Sequence, residues 1–127
     1  MPTKKSILLV DDSRTLLMSM ASVLERSGFT VTQAISGEEG LKAISAATTA
    51  LSLIVTDYNM PGMNGVEMIR AARKLSMARF TPILLLTTES EQKKRDDAKA
   101  AGATGWLVKP VPADKLLQTI KQVVPGA

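Results

Sequence analysis

A doubly wound α/β domain, built from five β-α units around a parallel sheet, is the fold class predicted here by three observations. Four short runs are apolar almost throughout: SILLV (6–10), LSLIVTD (51–57), PILLLT (82–87) and TGWLV (104–108). The segments between such runs carry apolar residues at helical spacing, and the connections are short. Continuous apolar strands imply burial on both faces, and strands separated by helices imply parallel crossovers.

The elements follow in order. After SILLV the pattern turns helical from Ser13, with Leu16, Leu17, Met20, Val23 and Leu24 on one face, until Gly28 stops it. FTVTQA (29–34) alternates and predicts a more exposed strand. Ser36 followed by Glu39 has the spacing of a capping box and opens a helix through about Ala46. LSLIVTD (51–57) predicts the third strand and Asn64 to Leu75 the next helix. PILLLT predicts the fourth strand, and residues 90–101 a helix carrying a Lys/Arg/Asp cluster that ends at Gly102. TGWLV predicts the fifth strand. Ala113 to Val124 predicts the last helix, with Leu116, Leu117, Ile120 and Val123 inward. The whole chain, 1–127, is expected to be one domain with no linker and no output domain.

Composition narrows the chemistry. A length of 127 residues suits one domain with a real core. With 45% hydrophobic but only 3% aromatic residues, that core must be aliphatic. The chain has neither cysteine nor histidine, which excludes disulfides, Cys/His zinc sites and Cys- or His-based catalysis within it. A hard-cation site built from carboxylates stays open. No segment approaches the roughly 20 apolar residues of a membrane span, and Ile7–Val10 is too short for a signal sequence, so a cytoplasmic location is expected. The net charge of +4 does not read as a nucleic-acid surface. Lys93, Lys94 and Arg95 run directly into Asp96 and Asp97, and no aromatics interleave with the cations.

The chemistry gathers at strand ends. In a parallel α/β sheet, ligands bind beyond the carboxyl ends of the strands. The first strand ends at Asp11-Asp12, the third at Asp57 and the fourth at Thr87; Lys109 and Pro110 follow the fifth. Any one of these alone reads as a helix cap, with Asp12 or Ser13 serving the first helix. Together they demand more. Two unit charges about 5 Å apart at an effective dielectric near 20 repel by roughly 3 kcal/mol. Three clustered carboxylates must therefore protonate, spread or recruit cations. Lys109 supplies one positive charge and a magnesium ion would supply two. A carboxylate so neutralised, beside a lysine and a hydroxyl, is suited to accept a phosphoryl group.

Asp11-Asp12, then Asp57-Tyr58-Asn59-Met60-Pro61 with Gly65, then Thr87, then Lys109-Pro110, all at strand ends, resemble the receiver domain of two-component response regulators. The resemblance spans essentially all of the chain and is nearest the single-domain chemotaxis (CheY) type. It implies the flavodoxin-like strand order 2-1-3-4-5. It also implies that Asp57 is the phosphoacceptor, that Asp12 binds magnesium directly and Asp11 through water, and that the Asn59 backbone carbonyl is a further ligand. Thr87 and Lys109 would contact phosphoryl oxygens, and the Lys109–Pro110 bond would be cis. Asn59 and Glu89 would tune self-dephosphorylation. Where the family usually has Tyr or Phe as a coupling residue, this chain has Trp106, which leaves the aromatic part of the switch an open departure; Thr88 stands beside the switch threonine.

The expected role is thus a phosphoacceptor, not an enzyme beyond its own phosphorylation and dephosphorylation. A CheA-like sensor histidine kinase would supply the phosphoryl group. The signal would leave through the face made by the fourth helix, fifth strand and fifth helix, toward the flagellar motor switch. A phosphatase is a further expected partner, and a monomer the expected state. A phosphate sink or relay intermediate is the alternative within the family. A magnesium-dependent phosphatase with an Asp nucleophile, as in the haloacid dehalogenase group, fits poorly, because Asn59 stands where that pattern needs its second Asp.

Overall fold

The computed structural model describes residues 5–88 and 92–127. The elements alternate strictly: β1 (Ser6–Val10), α1 (Arg14–Arg26), β2 (Thr30–Ala34), α2 (Gly37–Ala46), β3 (Leu53–Asp57), α3 (Gly65–Ala72), a 3-10 turn (Ser76–Ala78), β4 (Ile83–Thr87), α4 (Gln92–Ala101), β5 (Gly105–Val108) and α5 (Ala113–Val123). All five strands pair in parallel in the order β2-β1-β3-β4-β5. The doubly wound class and this strand order are therefore as expected.

The strands are apolar on both faces because each face meets its own helical layer. Side chains alternate across a strand with a period of two. Leu8, Val10, Ile54 and Leu85 point to one side, where they pack with Ile44 of α2, Met68 and Ile69 of α3 and Ala98 of α4. Ile7, Leu9, Leu53, Val55, Leu84 and Leu86 point to the other, against Leu17 and Leu24 of α1 and Leu116 and Ile120 of α5. Each fully buried Leu or Ile contributes about 2 kcal/mol relative to exposure. β2, at the edge of the sheet, is mostly exposed as its alternation predicts.

Helix ends follow local chemistry. Ser13 caps α1, its Oγ accepting from Leu16 N at 3.3 Å, and Gly28 ends the segment at φ +96°, a conformation side-chain-bearing residues avoid. Ser36 Oγ accepts from Glu39 N at 3.1 Å. The box with both halves made is at α3, where Asn64 and Glu67 exchange bonds of 3.0 and 2.9 Å.

Most boundaries shift from the sequence reading by a residue, and three shifts have a visible cause or size. β3 begins at Leu53 rather than Leu51, and β5 at Gly105 rather than residue 104, where the Thr104 hydroxyl instead accepts from Ile83 N at 3.0 Å. α3 stops at Ala72 instead of Leu75, and a 3-10 turn follows. The cause is Arg73. Its guanidinium donates to the carbonyls of Ala78 (2.8 Å), Arg79 (3.2 Å), Thr81 (2.6 Å) and Gly102 (3.0 and 2.7 Å), drawing four backbone oxygens around one side chain.

Candidate phosphoacceptor site

Strand register brings the polar residues to one edge. Val10 lies opposite Thr56, Asp57 opposite Leu86, and Thr87 opposite Val108. The residues that end or follow β1, β3 and β4 therefore stand side by side at the carboxyl edge of the sheet. Asp11 is fully buried, Asp57 is 4% exposed and Thr87 2% exposed, whereas Asp12 faces solvent.

The caps are supplied by other residues. Ser13 caps α1 and Asn64 caps α3, so neither Asp12 nor Asp57 performs that task. Asp11 spends one oxygen locally, Oδ1 accepting from Ser13 N at 2.9 Å. Its other oxygen, Oδ2, lies 3.1 Å from Lys109 Nζ, and the same ammonium reaches Asp57 Oδ1 at 3.0 Å. One lysine thus bridges two buried carboxylates that are 46 residues apart, as 57 less 11, in sequence. Lys109 is aimed by its backbone: its N–H continues the β4–β5 ladder to Thr87 O at 2.8 Å, and the Lys109–Pro110 bond is cis.

The backbone of Asp57 is held as firmly as its side chain. Thr56 Oγ1 donates to Asp57 O at 3.1 Å, Tyr58 N donates to Leu86 O at 2.8 Å, and Gly65 N donates to Tyr58 O at 2.9 Å. The start of α3 closes on this turn so tightly that a Cβ on Gly65 would collide with the Asp57 carbonyl oxygen. It would also lie 2.8 Å from Leu85 Cδ1 and 2.9 Å from Tyr58 Cα. Gly65 is needed for close approach, not for an unusual φ.

Charge and burial oppose each other here. Burial pushes the Asp57 carboxyl above its ordinary range; the bond from Lys109 pulls it down, and the charges of Asp11 and Asp12 push it up again. Burial by itself would lower the Lys109 ammonium, but its bonds to Asp57 and Asp11 outweigh that and leave it raised. Asp11, Asp12 and Asp57 each offer an oxygen, all within 4.8 Å of one another. Three carboxylates against one ammonium leave a formal deficit of two positive charges. An all-oxygen donor set with that deficit fits a hard divalent cation.

Two of the remaining predicted residues fall on described elements. Asn59 is exposed on the β3–α3 connection. Trp106 is half-buried on β5 and packs on the α2–α4 side of the sheet. The reading of Glu89 falls outside the described residues. Two contacts went unanticipated: Lys94 Nζ sits 4.7 Å from the Tyr58 ring centre, and the Arg95 guanidinium 5.4 Å from that of Trp106. The only trace of them in sequence is a cationic run on a helix that neighbours the aromatic-bearing strand.

Comparison with known proteins agrees with this geometry. The family model of the response regulator receiver domain matches residues 7–121. The chain is 34% identical over 118 residues to chemotaxis protein CheY of Pseudomonas aeruginosa, covering 92% of this chain and 94% of that protein. It is 32% identical over 120 residues to protein PilH of the same organism, covering 94% and 98%. The crystal structure of chemotaxis protein CheY4 of Vibrio cholerae superposes with a TM-score of 0.92 at 40% identity, covering 96% of this chain and all of that one. No helix among the described residues is long and apolar enough to cross a membrane. A 2-1-3-4-5 sheet with a lysine-bridged pair of buried carboxylates at its carboxyl edge, together with these matches, shows that the chain belongs to the response regulator receiver domain family.

Proposed function

We propose that the chain is a two-component phosphoacceptor, phosphorylated on Asp57 by a sensor histidine kinase. The observation that carries this reading is the Lys109 bridge, 3.0 Å from Asp57 Oδ1 and 3.1 Å from Asp11 Oδ2, at a buried sheet edge. A buried ion pair at the end of a central strand is a weak source of stability, so the cluster is better accounted for by chemistry than by packing.

In the proposed step an Asp57 carboxylate oxygen attacks the phosphorus of a phosphohistidine. The new P–O bond forms as the P–N bond breaks, and the electron pair leaves on the imidazole nitrogen. Lys109 pairs with a phosphoryl oxygen and Thr87 turns to donate to another, so the developing charge meets an ammonium and a hydroxyl at the sheet edge. Asp11, Asp12, Asp57 and the Asn59 carbonyl would hold magnesium, which supplies the missing positive charge for the phosphoryl oxygens. Asn59, with Glu89, would set how readily water hydrolyses the acyl phosphate.

The signal leaves through the α4–β5–α5 face. Thr87 and Trp106 share one side of the sheet, since Leu85 pairs with Trp106 and Thr87 with Val108. Motion of Thr87 toward a phosphoryl oxygen would thereby be felt at the indole. Likeness to chemotaxis protein CheY supports the flagellar motor switch as the target, with a CheA-like kinase as donor and the receiver acting as a monomer. The comparable likeness to protein PilH lies outside the relatives named for chemotaxis, and the second reading is a receiver that relays or drains phosphate.

Acetyl phosphate tests the core of this. Label should enter the wild type in the presence of magnesium and fail to enter Asp57→Asn. Emission from Trp106, the one tryptophan, should respond to magnesium and then to beryllofluoride. Label retained by the variant would move the phosphoacceptor elsewhere, and a protein silent to all three reagents would remove the reading.

A further inference from the structure

Helix α4 is fastened unevenly. Its C-terminal half buries Ala98 and Ala101, and the turn beyond it is held from across the molecule, where the Gly102 carbonyl accepts two bonds from Arg73. Its N-terminal half, residues 92–97, buries no side chain fully. That half instead offers two cations set over rings: Lys94 over Tyr58, the neighbour of Asp57, and Arg95 over Trp106.

Arg95 is held at a cost. Its Nε is buried and has no hydrogen-bond acceptor among the described residues. A buried N–H without an acceptor loses about what a guanidinium–indole stack returns. The stacked position and one with the guanidinium released to water are therefore close in free energy, which is the condition for a two-state element. Trp106 is also the diagonal neighbour of Thr87 on the same side of the sheet.

We propose that Arg95 is a positioning residue for Trp106, a latch whose stack holds the indole in its unphosphorylated setting and is broken when Asp57 is phosphorylated. The proposal rests on the reading of Asp57 as the phosphoacceptor. As Thr87 turns to the phosphoryl group, the indole, its diagonal neighbour, shifts with it. The guanidinium then leaves the ring, its Nε recovers a hydrogen bond from water, and the N-terminal half of α4 changes the surface it presents. The C-terminal half stays, anchored by Ala98, Ala101 and the Arg73 bonds.

Two variants test the latch. Arg95→Met keeps an unbranched apolar stem and good helix propensity but removes the guanidinium; Arg95→Lys keeps the charge without the planar stack. Two quantities are read: Trp106 emission of the ligand-free protein, and the beryllofluoride concentration at half-saturation with magnesium, followed by calorimetry. If the stack opposes activation, Arg95→Met shifts the ligand-free emission and lowers the half-saturation concentration by about twofold, because stacked and released positions of near-equal free energy leave about half of the molecules competent, with Arg95→Lys between. An unchanged or higher half-saturation concentration in Arg95→Met, with the wild type saturating normally, overturns the latch and leaves Arg95 a packing residue. Unchanged ligand-free emission would equally refute the stack. A wild type that never saturates removes the phosphoacceptor reading first, and the latch with it.

Discussion

Replacing Asp57 with asparagine should stabilise the metal-free protein at neutral pH, although it deletes an ion pair. With an effective dielectric near 20, the Asp57–Lys109 contact at 3.0 Å is worth about 5.5 kcal/mol of attraction. Repulsion from Asp11, whose oxygen lies within 4.8 Å, returns at least about 3.5 kcal/mol. Asp12 adds a similar term that solvent reduces by roughly half, since Asp12 is exposed. The Coulomb terms nearly cancel, so desolvation of a carboxylate left 4% exposed decides the sign, at several kcal/mol by order of magnitude. Asparagine keeps the shape but carries its own cost of about 1–3 kcal/mol for a buried amide. The balance is a gain of about 1–2 kcal/mol, or about 3–8 °C in Tm.

The pH dependence follows from the raised Asp57 carboxyl. The folded state holds the proton more tightly than the unfolded state, so the penalty for ionised Asp57 is complete above the folded pKa. It is absent below the ordinary value of 3.8. The advantage of Asp57→Asn should therefore shrink as pH falls through that window, and at neutral pH it should also shrink when magnesium is added. Urea denaturation of both proteins in chelator, at pH 7 and near pH 4, measures this. A variant at least 1 kcal/mol less stable than wild type at pH 7 would show that the Lys109 pair outweighs burial, and would refute the reasoning.

Other perturbations probe neighbouring parts of the argument. Lys109→Met leaves Asp11 and Asp57 buried without their cation and should cost about 3–5 kcal/mol in denaturant unfolding. Because the Lys109 ammonium is raised, the stability it supplies is complete below its ordinary value of 10.5 and lost as pH climbs through the folded value; Lys109→Met should flatten that alkaline loss. Gly65→Ala drives a methyl into the Asp57 carbonyl and Leu85; a loss of about 3 kcal/mol and slower labelling by acetyl phosphate are expected, and wild-type rates would show that the turn has slack. Arg73→Ala strips the bonds gathering Ala78, Arg79, Thr81 and Gly102 and should cost about 3 kcal/mol, with magnesium affinity unchanged in an emission titration.

Much of this was legible without coordinates, for reasons that are local. Ile7–Val10 and Ile83–Leu86 can be buried on both faces only as central strands, and their period of two assigns alternate residues to the two helical layers. Once β1, β3 and β4 are parallel neighbours, Asp11, Asp57 and Thr87 must end on one edge. The caps at Ser13 and Ser36 were readable for the same reason, since each bond spans three residues, whereas Asn64, read as the first residue of its helix, is its cap. Arg73 was not, because its acceptors come from segments up to 29 residues away and its effect is to end α3 early.

What the sequence alone determined is the set of groups and the edge on which they meet: an acceptor carboxylate, two acidic neighbours, a hydroxyl and an ammonium, ordered by strand pairing. What only the tertiary structure decided is how their charges are apportioned. Lys109 divides itself between Asp11 and Asp57 while Asp12 stays in solvent, and burial sets the proton affinity of Asp57. It also decided that Arg95 lies over Trp106 with a buried N–H left unpaired. Pairing register is carried by short-range periodicity. Distances of 3 Å between residues far apart in the chain are set by the packing of whole layers, to which every side chain in the core contributes.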